Sequence, residues 1–174
     1  YQQEGIRFLF NHARAHQSAV LNDDMGLGKT VQCIGLCLAL LNKSGTRADL
    51  VKVKRRIAAR KAAQELSSLS TPETFPSKTI LILAPKAVVS QWAKEFQVWG
   101  FFDVQLLEDA KSRAGLIHAC AGPEPGQPEI VLARHSVLNN PDLMTVLAGI
   151  QFQLVIFDEA HCFKNAKASS TVSA

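Results

Sequence analysis

The chain is short of the features that mark secreted, membrane-spanning or metal-clipped proteins. Four cysteines occur in 174 residues, at positions 33, 37, 120 and 162, with no Cys-x-x-Cys pair among them. That spacing offers neither a disulfide framework nor a zinc-ribbon site and suits a reducing, intracellular compartment. Cys33 and Cys37 stand one helical turn apart, which could form half of a metal site, but small buried packing residues are the stronger reading. Cys162 beside His161 could suggest a nucleophile pair, yet adjacent residues leaving a strand rarely face each other. No apolar run approaches the ~18 residues of a membrane span. The chain opens on Tyr1 with no initiator Met and no leader, so a piece of a longer protein is expected. Internal repeats are absent. At 47% apolar content, one domain of this length can bury about 70% of its unfolded surface.

Acid is scarce in one place. Residues 43 to 61 hold eight basic side chains and a single acid, Asp49, a local balance of +7 that leaves the rest of the chain at −3 against the overall +4. Such a run can follow a phosphate backbone, meet an acidic partner or act as a localisation signal, or it can be a solvated helix face in an insertion. We take residues 43–78 as a basic insertion, helical over Leu50 to Leu66 and mobile over Ser67 to Lys78, where Ser, Thr and Pro accumulate.

The most informative residues are Asp23-Asp24-Met25-Gly26-Leu27-Gly28-Lys29-Thr30 and, far downstream, Asp158-Glu159-Ala160-His161. Ala19 to Leu21 reads as the end of a buried strand and Val31 to Leu41 as a helix, so the glycine loop lies between strand and helix. Glycines let backbone N–H groups close around phosphate oxygens, and the helix N-terminus adds partial positive charge. Lys29 would supply a point charge to the phosphates and Thr30 a hydroxyl ligand for Mg²⁺. The spacing is the short GxGK[ST] form, since GxxxxGK[ST] would place Gly where Asp23 stands. Leu154-Val155-Ile156-Phe157 is a continuous apolar run, as in a strand buried on both faces, and it ends in two carboxylates. Asp158 can hold Mg²⁺ and Glu159 can orient or deprotonate water. The two motifs together indicate a nucleoside triphosphatase core.

The remaining elements follow from pattern. Tyr1 to Ala15 has helical spacing of Ile6, Leu9, Phe10 and Ala13. Thr79 to Ala84 is a strand stopped by Pro85, followed by a helix over Val88 to Trp99 in which Trp92 is a core anchor in preference to a base-stacking platform. Val104 to Leu107 and Ile130 to Ala133 are strands, Ala110 to Cys120 is a helix, residues 122–128 are a Gly/Pro loop, and Ser136 to Ala148 contains another helix. Strands alternating with helices predict an α/β fold on a mostly parallel sheet, with both motifs at carboxyl ends of strands, where such sheets bind ligands.

Four ordered motifs carry a resemblance to a known family. Tyr1-Gln2-Gln3-Glu4-Gly5 resembles a nucleotide-sensing Q motif. Asp24-Met25-Gly26-Leu27-Gly28-Lys29-Thr30-Val31-Gln32 is similar to a motif I written DEMGLGKTxQ, with Asp24 in place of Glu. Ala84-Pro85-Lys86 with Gln91-Trp92 and Glu95-Phe96 resembles motif Ia, and Asp158-Glu159-Ala160-His161 with Lys164-Asn165 resembles DEAHxxKN. From Tyr1 to about Asn165 the chain resembles the Swi/Snf-type DNA translocases of helicase superfamily two. Within them, Asp23-Asp24, Gly45 to Asp49 and Trp99-Gly100-Phe101-Phe102 are similar to the Cockayne-syndrome-B-like branch. Ala133-Arg134-His135 departs from the family's Thr-Tyr-Glu near the DNA path, so that contact is not carried over.

The resemblance implies a RecA-like three-layer first ATPase lobe, residues 1–174, incomplete at its C-terminus, from a nuclear, ATP-driven motor that tracks double-stranded DNA in repair or chromatin remodelling. It implies ATP and Mg²⁺ as cofactors and no membrane. Gln2 would contact adenine, and Asp24, Met25, Gly26, Leu27, Gly28, Lys29 and Thr30 would hold the nucleotide. Lys29, Asp158 and Glu159 would be catalytic, Thr30 and Asp158 would hold the metal, Lys86 would approach DNA, and His161 would couple the two sites. Partners would be duplex DNA, a second RecA-like lobe of the same protein carrying an arginine finger worth roughly 10³ to 10⁵ in rate, and repair or chromatin proteins; this piece alone would turn over little. Alternatives are a degenerate ATPase serving as a DNA-binding scaffold and a strand-separating helicase of another branch.

Overall fold

The computed structural model describes residues 1–24, 26–66, 78–107, 116 and 127–163. Four strands, β1 (Ile80–Ala84), β2 (Val104–Leu107), β3 (Ile130–Arg134) and β4 (Leu154–Phe157), pair in parallel in the order β2-β3-β1-β4. The register is Ile80 opposite Ile130 and Leu154, and Val104 opposite Ile130. All five β1 residues are buried, as expected of a strand with neighbours on both sides and layers on both faces. Alternation along β1 sends Ile80, Ile82 and Ala84 to one face and Leu81 and Leu83 to the other.

Each face has its own core. Helices α2 (Lys29–Leu40) and α4 (Lys86–Trp99) cover the first, placing Ile34, Cys37, Val89, Trp92 and Phe96 on the sheet. Phe96 meets Phe102 edge-on at 4.9 Å between ring centroids. The second face packs beneath Leu116, a 3₁₀ turn at His135–Asn139 and helix α5 (Pro141–Ala148). Helix α1 (Gln2–Arg14) lies on α2. The approach is close because a β-carbon on Gly5 would collide with the Gln32 side chain, and one on Gly35 with Ile6. The result is the expected three-layer, mostly parallel α/β architecture of a RecA-like core.

Two expectations change, and the helix expected within Ser136–Ala148 is present as α5. Ala19–Leu21 is not a strand, and Val20 is 80% exposed. β4 is buried on one face and not two: Leu154 and Ile156 pack on the first core, while Val155 and Phe157 are each 41% exposed. It is an edge strand among the described residues, and the second core draws on β1, β2 and β3 but not on β4. The segment Ser136–Ala148 divides at Asn140, which precedes proline and is extended; its side chain accepts the Leu143 N–H at 3.2 Å and Pro141 opens α5. Of the other expectations, the Ala110–Cys120 helix apart from Leu116, residues 67–77, residues 122–126 and Lys164-Asn165 lie outside the described residues.

Helix α3 (Ala48–Leu66) occupies most of the basic segment. Its entry is fixed by Asp49, whose Oδ2 accepts the Ser44 N–H at 2.8 Å, the Ser44 hydroxyl at 3.0 Å and the Gly45 N–H at 2.9 Å. Burial favours the neutral acid, but these hydrogen bonds and Lys52 outweigh it and hold the Asp49 carboxyl below its ordinary 3.8. A depressed carboxylate stabilises the fold above its unfolded pKa and loses that contribution as pH falls through the folded value. We therefore expect Asp49→Asn to lower stability by about 1 to 3 kcal/mol at pH 7. In urea titrations the gap from wild type should close progressively below pH 3.8; a constant gap would show that the carboxylate charge contributes nothing.

Candidate functional site

The glycine loop is held from three sides. Gly26 and Gly28 adopt φ of 85° and 74°, a left-handed backbone that a side chain would strain, and Gly28 caps α2 so that the helix begins at Lys29. Lys29 Nζ donates to the carbonyl oxygens of Asp23 at 2.7 Å and Asp24 at 3.2 Å. Gln32, one turn into α2 and fully buried, donates from Nε2 to Asp23 Oδ2 at 2.9 Å. The Tyr1 hydroxyl donates to the Leu27 carbonyl at 2.6 Å. The Gln2 amide lies over Gly28 so closely that a β-carbon there would meet its Nε2. Thus α1 and α2 together brace the loop, and the α2 N-terminus, with no acid in its first turn, points its partial positive charge into it. A cleft of about 370 Å³ opens beside it, with Tyr1, Glu4, Phe8, Asn22, Asp23 and Gln32 in its lining.

The carboxylates sit at the end of β4. The Asp158 N–H donates to the Leu83 carbonyl at 2.9 Å, extending the β1–β4 ladder one step beyond the strand. Asp158 Oδ2 accepts the Trp92 Nε1–H at 2.7 Å. Trp92 is 2% exposed, so it is a core anchor whose one polar atom reaches the acidic motif. Glu159 follows at φ 53°, an uncommon conformation for a non-glycine residue, and its Oε2 lies 2.9 Å from His161 Nδ1. This left-handed backbone goes with an ion pair between residues only two apart in sequence, Glu159 and His161.

Helix α2 links the two motifs. Cys33 lies one turn beyond Lys29, and burial, with the neighbouring Asp158 charge second, raises its thiol pKa to about 12. Cys37, in the first core, is raised further by burial. Both thiols therefore stay protonated and serve packing.

The structure places Gln2, Asp24, Gly26, Leu27, Gly28, Lys29 and Thr30 around one loop, and Asp158, Glu159 and His161 at the end of β4. Lys86 is exposed at the start of α4, on the same carboxyl edge of the sheet. Met25 and the side chain of Cys162 lie outside the described residues. Arg134 and His135 end β3 on that edge too, with His135 Nε2 3.3 Å from the Leu83 carbonyl. Sequence reasoning assigned no role to Tyr1 or Gln32 and did not link Trp92 to Asp158. Gln32 lay within a quoted motif, but its bond to Asp23 depends on a helix turning back over the loop.

The whole chain, residues 1–174, matches the family model described as SNF2-related domain. It is similar to mouse DNA excision repair protein ERCC-6-like 2, with 33% identity over 171 residues, 98% of this chain and 10% of the relative. It is similar to Switch 2 of Arabidopsis thaliana, with 28% identity over 180 residues, 97% of this chain and 17% of the relative. The chain thus spans between a tenth and a sixth of the length of these relatives. The fold resembles that of the Sulfolobus solfataricus SWI2/SNF2 ATPase core in complex with double-stranded DNA, at a TM-score of 0.51 and 14% identity over 99% of this chain and 34% of that one.

Two outcomes are expected from this geometry. Trp92→Phe keeps a ring but removes the donor to Asp158, and should cost about 1.5 to 3 kcal/mol in urea unfolding; a change within ±0.5 kcal/mol would mean that the bond contributes nothing net. Cys33 and Cys37 should resist iodoacetamide at pH 8 in the folded protein and react in denaturant, as read by peptide mass mapping. Rapid native labelling of Cys33 would contradict its raised pKa.

Proposed function

The chain belongs to the SNF2-related domain family of helicase-like ATPases, and on that premise we propose that residues 1–174 form the ATP-binding lobe of a nuclear motor that translocates along double-stranded DNA, with residues 43–78 inserted in the lobe. The observation that carries this reading is the gathering of the braced glycine loop and the Asp158-Glu159 pair on the carboxyl edge of one parallel sheet, joined through α2. The residues present suit a magnesium nucleotide. The loop offers glycine backbone N–H groups, a helix N-terminus, an ammonium now resting on main-chain carbonyls and a hydroxyl at Thr30, while the acidic motif offers an Asp158 oxygen for the metal and the Glu159 carboxylate for water.

Each residue has a defined task in this reading. Gln2, against Gly28, positions the adenine. Lys29 exchanges its bonds to Asp23 and Asp24 for phosphate oxygens, so the loop carbonyls hold the ammonium in place beforehand. Thr30 and Asp158 would hold Mg²⁺, which would neutralise phosphate charge when bound. Trp92 restrains one Asp158 oxygen and leaves the other for that ligand. Glu159 orients and deprotonates the attacking water, and His161, paired with Glu159, links it to the DNA-facing edge where Lys86 approaches the backbone. A second lobe of the same protein supplies the arginine finger. The name of the mouse relative, which speaks of DNA excision repair, and the duplex in the Sulfolobus complex support a DNA substrate and a role in repair, with chromatin remodelling as the other role of such motors.

ATP hydrolysis by the full-length protein, with and without duplex DNA, tests the reading. Duplex should stimulate it and RNA should not. Glu159→Gln should lower the stimulated rate roughly 10² to 10⁴-fold, the range for a lost general base, and Lys29→Ala should abolish nucleotide binding as well as turnover. Equal, unstimulated rates in wild type and both variants would sink the motor and favour a scaffold on a retained nucleotide fold.

A further inference from the structure

Helix α3 carries more positive charge than its packing uses. Lys43 reaches both Glu129 oxygens at 3.0 and 2.9 Å, and Arg56 lies 3.8 Å from Glu129 and donates to the Gln127 carbonyl at 3.0 Å. Arg60 pairs with Asp103 at 2.7 Å. These three side chains are 2%, 20% and 14% exposed; Arg56 and Arg60 fasten the helix, and Lys43 the segment leading into it, to residues just ahead of β2 and β3. The remaining cations face the other way. Arg47, Val51, Lys54, Ala58 and Lys61 recur at intervals of four and three, which is one face of a helix, and all five are exposed. Arg55 flanks them, as does Lys52, whose side chain is 67% exposed and pairs with Asp49 at 3.4 Å.

This face differs from an ordinary solvated one. Exposed helices interleave acids with bases at i,i+4, which stabilises the helix and limits self-repulsion. Here the acids of the basic segment and α3 are Asp49, which is fully buried, and Glu65 in the last turn, so none is interleaved among the cations from Arg47 to Lys61 on the outer face. Among the described residues no acid pairs with Arg47, Lys54, Arg55 or Lys61. The face has no aromatic side chain, and its one large apolar residue is Val51, so it lacks the anchors on which protein interfaces depend. Seven residues of helix advance ~10.5 Å, which separates Lys54 from Lys61 on α3, and Arg47, in the turn just before Ala48, extends the row. A row of unpaired cations with no apolar anchor suits a sequence-independent phosphate backbone.

Its position separates it from the DNA-facing edge already described. Asp103 and Glu129 stand at the amino ends of their strands, whereas Lys86 and Asp158 follow the carboxyl ends, and a strand of four to five residues is ~13 to 17 Å long. We propose that the Arg47–Lys54–Lys61 face of α3 is a second docking surface for the backbone of duplex nucleic acid, at the pole of the sheet opposite the phosphate loop. It rests on the motor reading only in the choice of a duplex as the polyanion.

The test compares two charge-reversed triples of the full-length protein by fluorescence anisotropy with a duplex of mixed sequence across a salt series. One is R47E/K54E/K61E; the other, R7E/R14E/K94E, makes the same change in net charge at exposed positions elsewhere. The α3 triple should weaken binding roughly tenfold or more at low salt and reduce the slope of log K against log salt by about 3, as expected for three lost phosphate contacts. The second triple should leave that slope near wild type. Fluorescent-nucleotide binding and the helical circular dichroism signal should be unchanged in both. An unchanged slope in the α3 triple, or equal losses in the two, would overturn the proposal. Duplex-stimulated hydrolysis at saturating DNA reads the motor separately: its absence in wild type would sink the motor, and its survival in the α3 triple would confirm that the second surface is distinct from the first.

Discussion

The in-register parallel pairing of β1 with β4 is the constraint on which this molecule's site depends. Leu83 stands opposite Phe157, and the next N–H, that of Asp158, bonds back to Leu83. Asp158 is thereby level with Ala84 and Pro85, where β1 ends and α4 begins. Helix α4 then returns across the same face and delivers the Trp92 N–H to Asp158. A one-residue slip of β4 would turn Leu154 and Ile156 off the first core and carry the carboxylates to the opposite face. Apolar burial thus sets the register, and the register sets the acidic site.

The opposite end of the sheet obeys a different rule. Glu129 and Asp103 are buried ahead of β3 and β2, and a buried carboxylate must be paired or hydrogen-bonded. Glu129 Oε2 accepts the Asp103 N–H at 2.9 Å as well as the Lys43 ammonium, which also lies 5.0 Å from the Phe102 ring centroid. Such a cluster contributes little over an apolar equivalent, but removal of one partner leaves a stranded charge. Its consequence is orientation: it selects which cations of the basic segment turn inward and so which remain on the outer face of α3.

Much of this was legible in the chain itself. The four sheet strands, the helix after the glycine loop, the helix after Pro85 and the anchor role of Trp92 follow from hydrophobic period, length and Gly/Pro punctuation. The family follows from four short motifs in order, because phosphate and metal chemistry admits few residue types at those spacings. The helix within residues 136–148 was legible too, and Asn-Pro-Asp, with a helix cap and a proline at the first helical position, marks where it starts.

The Ala19–Leu21 segment and the one-sided burial of β4 were not legible, because apolar residues report a preference for burial and not whether a neighbour is there to provide it. The same limit applies to charge. Composition placed eight cations between residues 43 and 61 but not the two carboxylates, sixty or more residues from Lys43, that claim three of them. Sequence alone determined the chemistry proposed for this protein, because residue type and local spacing are sufficient to indicate a phosphate loop and an acidic strand end. Only the tertiary structure decided which side chains brace those two motifs, from Tyr1 on Leu27 to Gln32 on Asp23 and Trp92 on Asp158, because contacts between distant residues depend on register and layer order that no local pattern encodes.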